Sequence, residues 1–190
     1  MNKNNVKIDP IFRYYLSNGF KHSLQAVAAS VGISKKTLFN RYISKVNLER
    51  SLIEYWQKKT CDRFLIRTEF SNNAVEKLLM FLFELQYCKK NEFFFFQKNQ
   101  EAFIEQYEHE SPFIEQLEKI IKLGIKEELF RIDTDIKVFA YFFIFNTLFL
   151  LLSDRFLYTE YIPFLFAPIL SETGKIVFFE VDIEQFFKQN

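Results

Sequence analysis

Apolar residues recur every three or four positions along most of this chain, which is the spacing of one buried face of an α-helix. In the first third of the chain the pattern predicts four helices, at residues 9–17, 24–31, 35–42 and 45–67. Ser23, Ser34 and Ser44 each precede one of the last three helices and can cap it with a side-chain oxygen. Asp9, followed by Pro10, is expected to cap the first helix in the same way.

The remainder of the chain predicts longer helices, at residues 74–89, 92–108, 112–129, 135–154 and 160–170. Only four Gly and four Pro occur in the chain, too few for a β-protein rich in turns. Two interpretations of the tail stay open. The segment IVFFEV at 176–181 has the composition of a strand, whereas DIEQFFKQ at 182–189 suits a capped terminal helix. The helical spacing and the scarcity of Gly and Pro together predict an all-α fold class.

The predicted third helix carries more hydrogen-bond donors than packing requires. Leu38 and Tyr42 are four residues apart and can face the interior, and Gly32 allows a tight turn before the helix. Short helices joined in this way form helix-turn-helix units, whose recognition helix enters the major groove of DNA. Outward donors suit base edges and phosphates, although such a face can also be ordinary solvated surface. The outward residues are Lys35, Lys36, Thr37, Asn40 and Arg41.

Charge is unevenly distributed along the chain, although the net charge is only +1. Residues 1–60 hold 11 Lys and Arg against 3 Asp and Glu, whereas residues 61–190 hold 14 against 21. A basic segment attached to an acidic remainder indicates that the first part binds a polyanion and the second part does not.

A membrane or secreted protein is not expected. The most apolar run, at 138–152, contains Asn146 and Thr147 and is shorter than the roughly 20 residues of a spanning helix. A buried helix is the better interpretation, and no membrane partner is expected. The first residues lack the apolar run of a signal peptide. Cys61 and Cys88 form no CxxC motif, so we expect free thiols in a reducing, cytoplasmic environment.

Metal binding and catalysis have few residues to support them. Glu105 and His109 are four residues apart and could meet one metal ion on a helix face. Without a companion His or Cys cluster, however, no metal site is expected. No Ser-His-Asp arrangement, P-loop or GxGxxG motif is present, so neither an enzyme nor a bound cofactor is expected.

The segment from Gly19 to Leu48 resembles the DNA-binding domain of the TetR family of transcriptional repressors. It reads G-F-x-x-S-L-x-x-V-A-x-x-V-G-I-S-x-x-T-L-F-x-R-Y-I-S-K-x-x-L, with a Gly-aromatic pair, Ser caps and a Gly-apolar-Ser turn at the family's spacing. A weaker similarity lies at 124–135. Lys36, Ile43 and Asn47 stand where the family usually has Gly, an aromatic residue and an acid, which leaves the base preference open.

The resemblance implies two domains and a function. A helix-turn-helix domain would span 1–50, with the fourth helix continuing to about residue 67 as a connector. An effector-binding and dimerisation domain would span 68–190. The implied function is a homodimeric regulator that binds a palindromic operator in double-stranded DNA and is released by a small hydrophobic or aromatic effector. The alternative is a helix-turn-helix-fold interaction module that does not bind an operator.

The resemblance also implies which residues would contact DNA. Ser23 would meet a phosphate, and Tyr42 and Lys45 would hold the DNA backbone at the start of the fourth helix. Arg41 could serve either a base or a phosphate. The residues that would approach the major groove are Ser34, Lys35, Lys36, Thr37 and Asn40.

In the second domain, the resemblance implies an effector pocket between helices and a dimer face on the last two large helices. The residues expected to line the pocket are Phe83, Gln86, Tyr87, Phe96, Gln100, Phe103, Phe142 and Asn146. The residues expected at the dimer face are Phe139, Phe143, Phe149 and Leu150. A plain core role competes with both assignments, because aromatic residues of core, pocket and interface look alike in sequence.

Overall fold

A computed structural model confirms the all-α prediction for the residues that it describes, which are 7–69, 71–105, 111–152 and 158–183. These residues form ten helices: α1 (Ile8–Asn18), α2 (Leu24–Ser30), α3 (Lys35–Tyr42), α4 (Lys45–Arg67), α5 (Ala74–Asn91), α6 (Phe93–Glu105), α7 (Pro112–Lys126), α8 (Ile136–Leu152), α9 (Tyr158–Phe166) and α10 (Glu172–Glu180). None of the helices within those ranges combines the length and the apolar character needed to cross a bilayer.

The head of the molecule consists of α1–α3 and the first half of α4 around a small core. Ile11, Tyr15, Leu38 and Leu48 are all fully buried there. The three predicted serine caps are confirmed, because each hydroxyl accepts a hydrogen bond from the backbone N–H three residues ahead. These caps fix where α2, α3 and α4 begin.

The predicted cap of α1 is wrong. The helix begins at Ile8, one residue before Asp9, and Lys7 occupies the capping position without a side-chain hydrogen bond. Asp9 instead accepts hydrogen bonds from Tyr55 and Lys59 of α4 and from Arg13 of its own helix. The Asp9 carboxylate therefore makes tertiary contacts with α4 instead of capping its own helix.

The second half of α4 and helices α5–α10 form the body of the molecule. The body is organised around α7, which packs against α4, α5 and α8. Its inward side chains, such as Phe113, Leu117 and Ile121, are buried at helical spacing. After α7 the chain turns back sharply at Glu128, whose φ is 60°. Phe130 then lies over Gly124 and forms an isolated antiparallel bridge with Leu170.

Several boundaries differ from the sequence prediction. The seventh helix ends at Lys126 rather than near 129, because the turn at Glu128 brings Phe130 back over the helix. Asp135 caps α8 through the N–H of Val138 instead of lying within it. The ninth helix covers Tyr158–Phe166 rather than 160–170. The predicted ends of α6 and α8, at 106–108 and 153–154, lie outside the described residues.

The ambiguous tail is helical as far as the structure describes it. Ser171 caps α10 by accepting a hydrogen bond from the N–H of Gly174. Residues 176–180, whose composition suggested a strand, lie inside this helix. Phe178 is buried and its ring lies 4.9 Å from that of Phe166. The suggested terminal helix falls almost entirely on residues 184–190, which lie outside the described residues.

Candidate nucleic-acid interface

The turn between α2 and α3 sets the orientation of the candidate reading helix. Gly32 adopts φ 72°, a conformation that glycine takes without steric cost. The N–H of Ile33 then donates to the carbonyl of Ala28, which folds the turn back onto α2. Leu38 and Tyr42 face the head core, with exposures of 0% and 8%. The opposite face of α3 therefore points to solvent.

The exposed face of α3 carries the donors expected from the sequence. Lys35, Lys36, Asn40 and Arg41 are all exposed. Phe39, half exposed among them, adds an apolar surface of the kind that contacts a thymine methyl group. The face can thus present two ammonium groups, one guanidinium and one amide to a single partner.

The hydroxyl groups at the start of α3 hold the helix together. Ser34 Oγ accepts the N–H of Thr37 at 3.0 Å and lies 2.8 Å from Thr37 Oγ1. Ser23 similarly accepts the N–H of Ala26 at the start of α2 and remains exposed. Both serines are thus caps in this structure, and any contact with DNA would use the remaining capacity of the same oxygen.

Lys45 lies at the start of α4, where the positive end of the helix dipole favours an anion. Its ammonium donates to the carbonyl of Phe20 at 2.9 Å and lies 3.5 Å from Glu49 Oε1. The side chain is 39% exposed. An ammonium has three donors, so these contacts leave one for a phosphate.

Ile43 links the two helices through an unusual backbone conformation. Its φ and ψ are 64° and −44°, and the N–H of Ser44 donates to the carbonyl of Tyr42 at 2.6 Å. This is a γ-turn of the rarer hand, which is strained for a β-branched residue. The turn places the capping Ser44 and then Lys45 directly after the exposed face of α3.

The residues proposed for an effector pocket have varied environments. Phe96 is fully buried, and Gln86 is half-buried. Tyr87 stacks on the guanidinium groups of Arg63 and Arg67 at 5.4 and 5.5 Å. Phe83 lies against Arg67 at 5.1 Å. These two aromatic rings therefore pack against arginine side chains of α4 through cation–π contacts.

The remaining pocket residues lie on α6 and α8. Asn146 donates its amide to the carbonyl of Phe142 one turn earlier, and Phe142 is 38% exposed. These two side chains are thus at the surface of the chain rather than in its interior. The side chains of Gln100 and Phe103 lie outside the described residues.

Sequence reasoning missed a chain of polar side chains inside the body. Ser111 Oγ donates to Gln57 Oε1, and the Gln57 amide donates to Asn99 Oδ1. Gln57 is 5% exposed and Asn99 is fully buried. The signal was available, since Gln57 falls on the apolar face of α4 between Trp56 and Cys61.

This polar chain ends in an unsatisfied donor. Ser111 Oγ already accepts the N–H of Phe113, so its own hydrogen is free to be donated to Gln57. That direction makes Gln57 the donor to Asn99 Oδ1. The Asn99 amide nitrogen is then left buried without a hydrogen-bond partner. A buried unsatisfied donor is costly and marks a candidate ligand contact.

Two of the four residues assigned to the dimer face belong to the core of the chain itself. Phe139 and Phe143 are 6% and 0% exposed and contact each other, and Phe143 packs on Phe166. Their burial follows from the helical phase of α8. Leu150 is half-buried, whereas Phe149 is 65% exposed. The exposed apolar residues of α8 are Val138, Phe142, Phe145 and Phe149.

Metal-binding and nucleophilic groups are sparse in the described part of the chain. No group of three or more His, Cys, Asp or Glu side chains is placed to hold a metal ion there. His109 lies outside the described residues, as does the side chain of Glu105. Cys61 and Cys88 are free and buried, and burial raises the pKa of the Cys61 thiol to about 12. A thiol of this kind is inert at neutral pH.

No family model and no curated protein matches the chain, but solved structures do. A gamma-butyrolactone receptor (ArpA like protein) is 13% identical with a TM-score of 0.63, over 96% of this chain and 95% of that one. CprB from S. coelicolor A3(2), a TetR family protein, is 13% identical with a TM-score of 0.60, over 96% of each chain.

AibR in complex with isovaleryl coenzyme A and operator DNA is 17% identical with a TM-score of 0.50, over 80% of this chain and 89% of that one. At such identities the likeness establishes the fold alone. The chain has the fold of a TetR family protein, as the resemblance of residues 19–48 implied.

Proposed function

We propose that this protein is a homodimeric, DNA-binding transcriptional regulator of the TetR family that responds to a small apolar effector. The observation that carries the proposal is the exposed face of α3. Lys35, Lys36, Asn40 and Arg41 project from a helix whose other face is anchored in the head core. Lys45 lies beside this face at a helix N-terminus. This combination suits base edges and backbone phosphates together.

The proposed mechanism has two states. In the first, two α3 helices of a dimer are spaced to enter successive major grooves of a palindromic operator, about 34–36 Å apart. The effector binds the second state more tightly and shifts the helices out of register. It can change occupancy only by its differential affinity, typically about 1–3 kcal/mol of coupling. The two free, buried thiols suit the cytoplasm, where we place the protein.

The first experiment is fluorescence anisotropy with DNA from upstream of the protein's own gene and with random duplex, over a salt series. We expect selective binding by two chains per site. If about six phosphates are neutralised, the log–log salt slope will be near −5. Asn40→Ala should relax sequence preference at about 1–3 kcal/mol, whereas Lys45→Ala should weaken binding to all duplexes.

Lys36→Ala and Arg41→Ala test the alternative of an interaction module without operator binding. Both should weaken DNA binding. Lys58→Ala is the matched control, because Lys58 is exposed on the same helix as Lys45 but about 20 Å further along it. Unchanged affinity in the two α3 variants would favour the interaction module.

The interior polar chain supports a specific place for the effector. The Asn99 amide ends a chain of neutral side chains, and the buried Phe95 and Phe96 lie one helical turn earlier on α6. An apolar molecule with one carbonyl group would satisfy this donor, whereas a carboxylate would be buried beside neutral groups. Among the ligands named for structures of this fold, a butyrolactone fits that description better than a coenzyme A ester.

Asn99→Leu tests this site, because it keeps the number and branching of the side-chain heavy atoms and removes the amide. We expect alkyl γ-butyrolactones to release wild-type protein from DNA and to lose that effect on the variant. DNA affinity without the lactone should stay within about twofold, and circular dichroism should show an intact fold. Release by isovaleryl coenzyme A but not by lactones, or an unchanged lactone response in Asn99→Leu, would contradict the proposed effector site.

A further inference from the structure

The ammonium group of Lys45 is held by one group from each of two residues, and α6 of the body contacts both residues. One is the carbonyl of Phe20, at 2.9 Å, and the other is the carboxylate of Glu49, at 3.5 Å. Lys45 is one of the residues placed at the DNA backbone under the proposed function. Any group that competes for its charge therefore influences DNA affinity directly.

Glu49 is shared between the head and the body. Its Oε1 lies 3.5 Å from Lys45 Nζ, and its Oε2 lies 3.6 Å from Lys98 Nζ of α6. The Glu49 side chain is only 15% exposed, so water and salt screen it less than an open surface pair. The carboxylate thus divides its attraction between a lysine that faces DNA and a lysine that belongs to the body.

Phe20, which supplies the carbonyl, contacts the same helix through its aromatic ring. The ring of Phe20 packs edge-on against Phe95 of α6, with centroids 5.0 Å apart. Phe95 is fully buried and also contacts Phe12 of α1 and Trp56 of α4. Phe95 and Lys98 are three residues apart, so they share one face of α6. One face of α6 therefore contacts both residues that hold Lys45.

We propose that the Glu49 carboxylate competes with DNA phosphate for Lys45 and thereby sets DNA affinity. Lys98 limits this competition, because it attracts the same carboxylate. The inference rests on the proposed DNA-binding function. While Lys98 attracts the carboxylate, part of the Lys45 charge stays available to a phosphate. If α6 shifts and lengthens the Lys98–Glu49 contact, the carboxylate pairs fully with Lys45 and repels the neighbouring phosphate. Displacement of α6 thus lowers DNA affinity.

Three variants test the competition: Glu49→Gln, Lys98→Met and the double variant. Glu49→Gln is isosteric and should tighten binding about two- to fivefold on both specific and random duplex, because Lys45 recovers its full charge. Lys98→Met should weaken binding by a similar factor. In the Glu49→Gln background, Lys98→Met should lose this effect, because no carboxylate remains to be released.

Lys90→Met is the matched control for the loss of one positive charge from the body. Lys90 is exposed near the end of α5, and its removal reports only the general electrostatic effect. We expect the double variant to differ from Glu49→Gln by no more than Lys90→Met differs from wild type. Unfolding midpoints of all variants establish that the fold is intact.

Two results would overturn the inference while leaving the proposed function standing. The first is Glu49→Gln binding DNA no more tightly than wild type. The second is Lys98→Met weakening DNA binding by the same factor in both backgrounds, which would identify Lys98 as a general charge. Failure of wild-type protein to bind any duplex in a salt-dependent manner would instead overturn both the proposed function and the competition at Lys45.

Discussion

Ile43 combines a left-handed backbone with a β-branched side chain, and it does so between the two helices that would hold DNA. Its φ of 64° belongs to a region where L-residues are strained by roughly 1–2 kcal/mol. Its side chain is 65% exposed, so packing contributes little to holding it there. Strain at such a position is maintained by its surroundings, here the caps and hydrogen bonds of α3 and α4.

Ile43→Gly should therefore stabilise the fold. Glycine removes the strain, but its greater freedom in the unfolded state costs about 0.5–1 kcal/mol. We therefore expect the free energy of unfolding to rise by roughly 0.5–1 kcal/mol. Val46→Gly is the control, since Val46 is similarly exposed but lies in a helix. Its free energy of unfolding should fall by about 0.5–1 kcal/mol. Urea unfolding measures both. Destabilisation of the same size in both variants would show that Ile43 is not strained.

At the residue scale, the sequence predicted what depends on near neighbours. The serine caps act over three residues, and the outward face of α3 follows from the spacing of Leu38 and Tyr42. The role of Lys45 was only partly predictable, because its carbonyl partner lies 25 residues away. Gln57 and Asn99 meet across 42 residues, and no local pattern could have paired them.

The junction of α1 and α4 shows how a charge can join two elements. Asp9 of α1 accepts a hydrogen bond from Tyr55 at 3.0 Å and pairs with Lys59 at 3.3 Å, both on α4. The Tyr55 hydroxyl, supported by Lys59 and Arg13, holds the pKa of the Asp9 carboxyl below its usual value. The contact ties the first helix of the head to the helix that runs into the body.

Asp9→Asn should lower stability at pH 7, and acid should remove the difference. A carboxyl whose pKa is lower in the folded state contributes stability above its unfolded pKa and loses it as pH falls through the folded value. The gap should thus narrow below about pH 4. Because Asp9 is one-third exposed, we expect only about 0.5 kcal/mol at pH 7.

Urea midpoints between pH 7 and pH 3 measure this difference. Asp62→Asn, at an exposed position of α4, is the control and should show no comparable gap. A difference between Asp9→Asn and wild type that stays constant down to pH 3 would mean that the charge of Asp9 does not tie α1 to α4.

At the element scale, helix existence followed from apolar spacing, whereas several helix ends did not. The end of α7 depends on Leu129 and Phe130, which pair with the segment before α10. A Cβ on Gly174 would lie 1.9 Å from the carbonyl oxygen of Leu129, so the first turn of α10 and the segment after α7 touch backbone to backbone. Such contacts join residues 38 to 45 positions apart and leave no periodic signal.

At the scale of the whole molecule, α8 presents an apolar stripe that the single chain does not cover. Val138, Phe142, Phe145 and Phe149 are separated by four, three and four residues, the spacing of one helix face. Phe145 and Phe149 are 44% and 65% exposed. Phe164 of α9, at 72%, is another exposed apolar side chain of the body. A second copy of the chain is the occupant that the proposed function requires, and obligate interfaces of this kind resemble a core cut in half.

Phe145→Glu combined with Phe149→Glu should convert the proposed dimer to monomers. Burying a Phe side chain contributes about 1.5–3 kcal/mol, so losing two weakens association by at least roughly a hundredfold before the charges are considered. Sedimentation velocity at micromolar concentration measures the change, and operator binding should fall with it because one α3 helix reaches only one half-site. Ile132→Glu is the control, since Ile132 is 91% exposed in the loop before α8 and should leave the dimer intact. Unchanged sedimentation of the double variant would place the dimer interface elsewhere on the body.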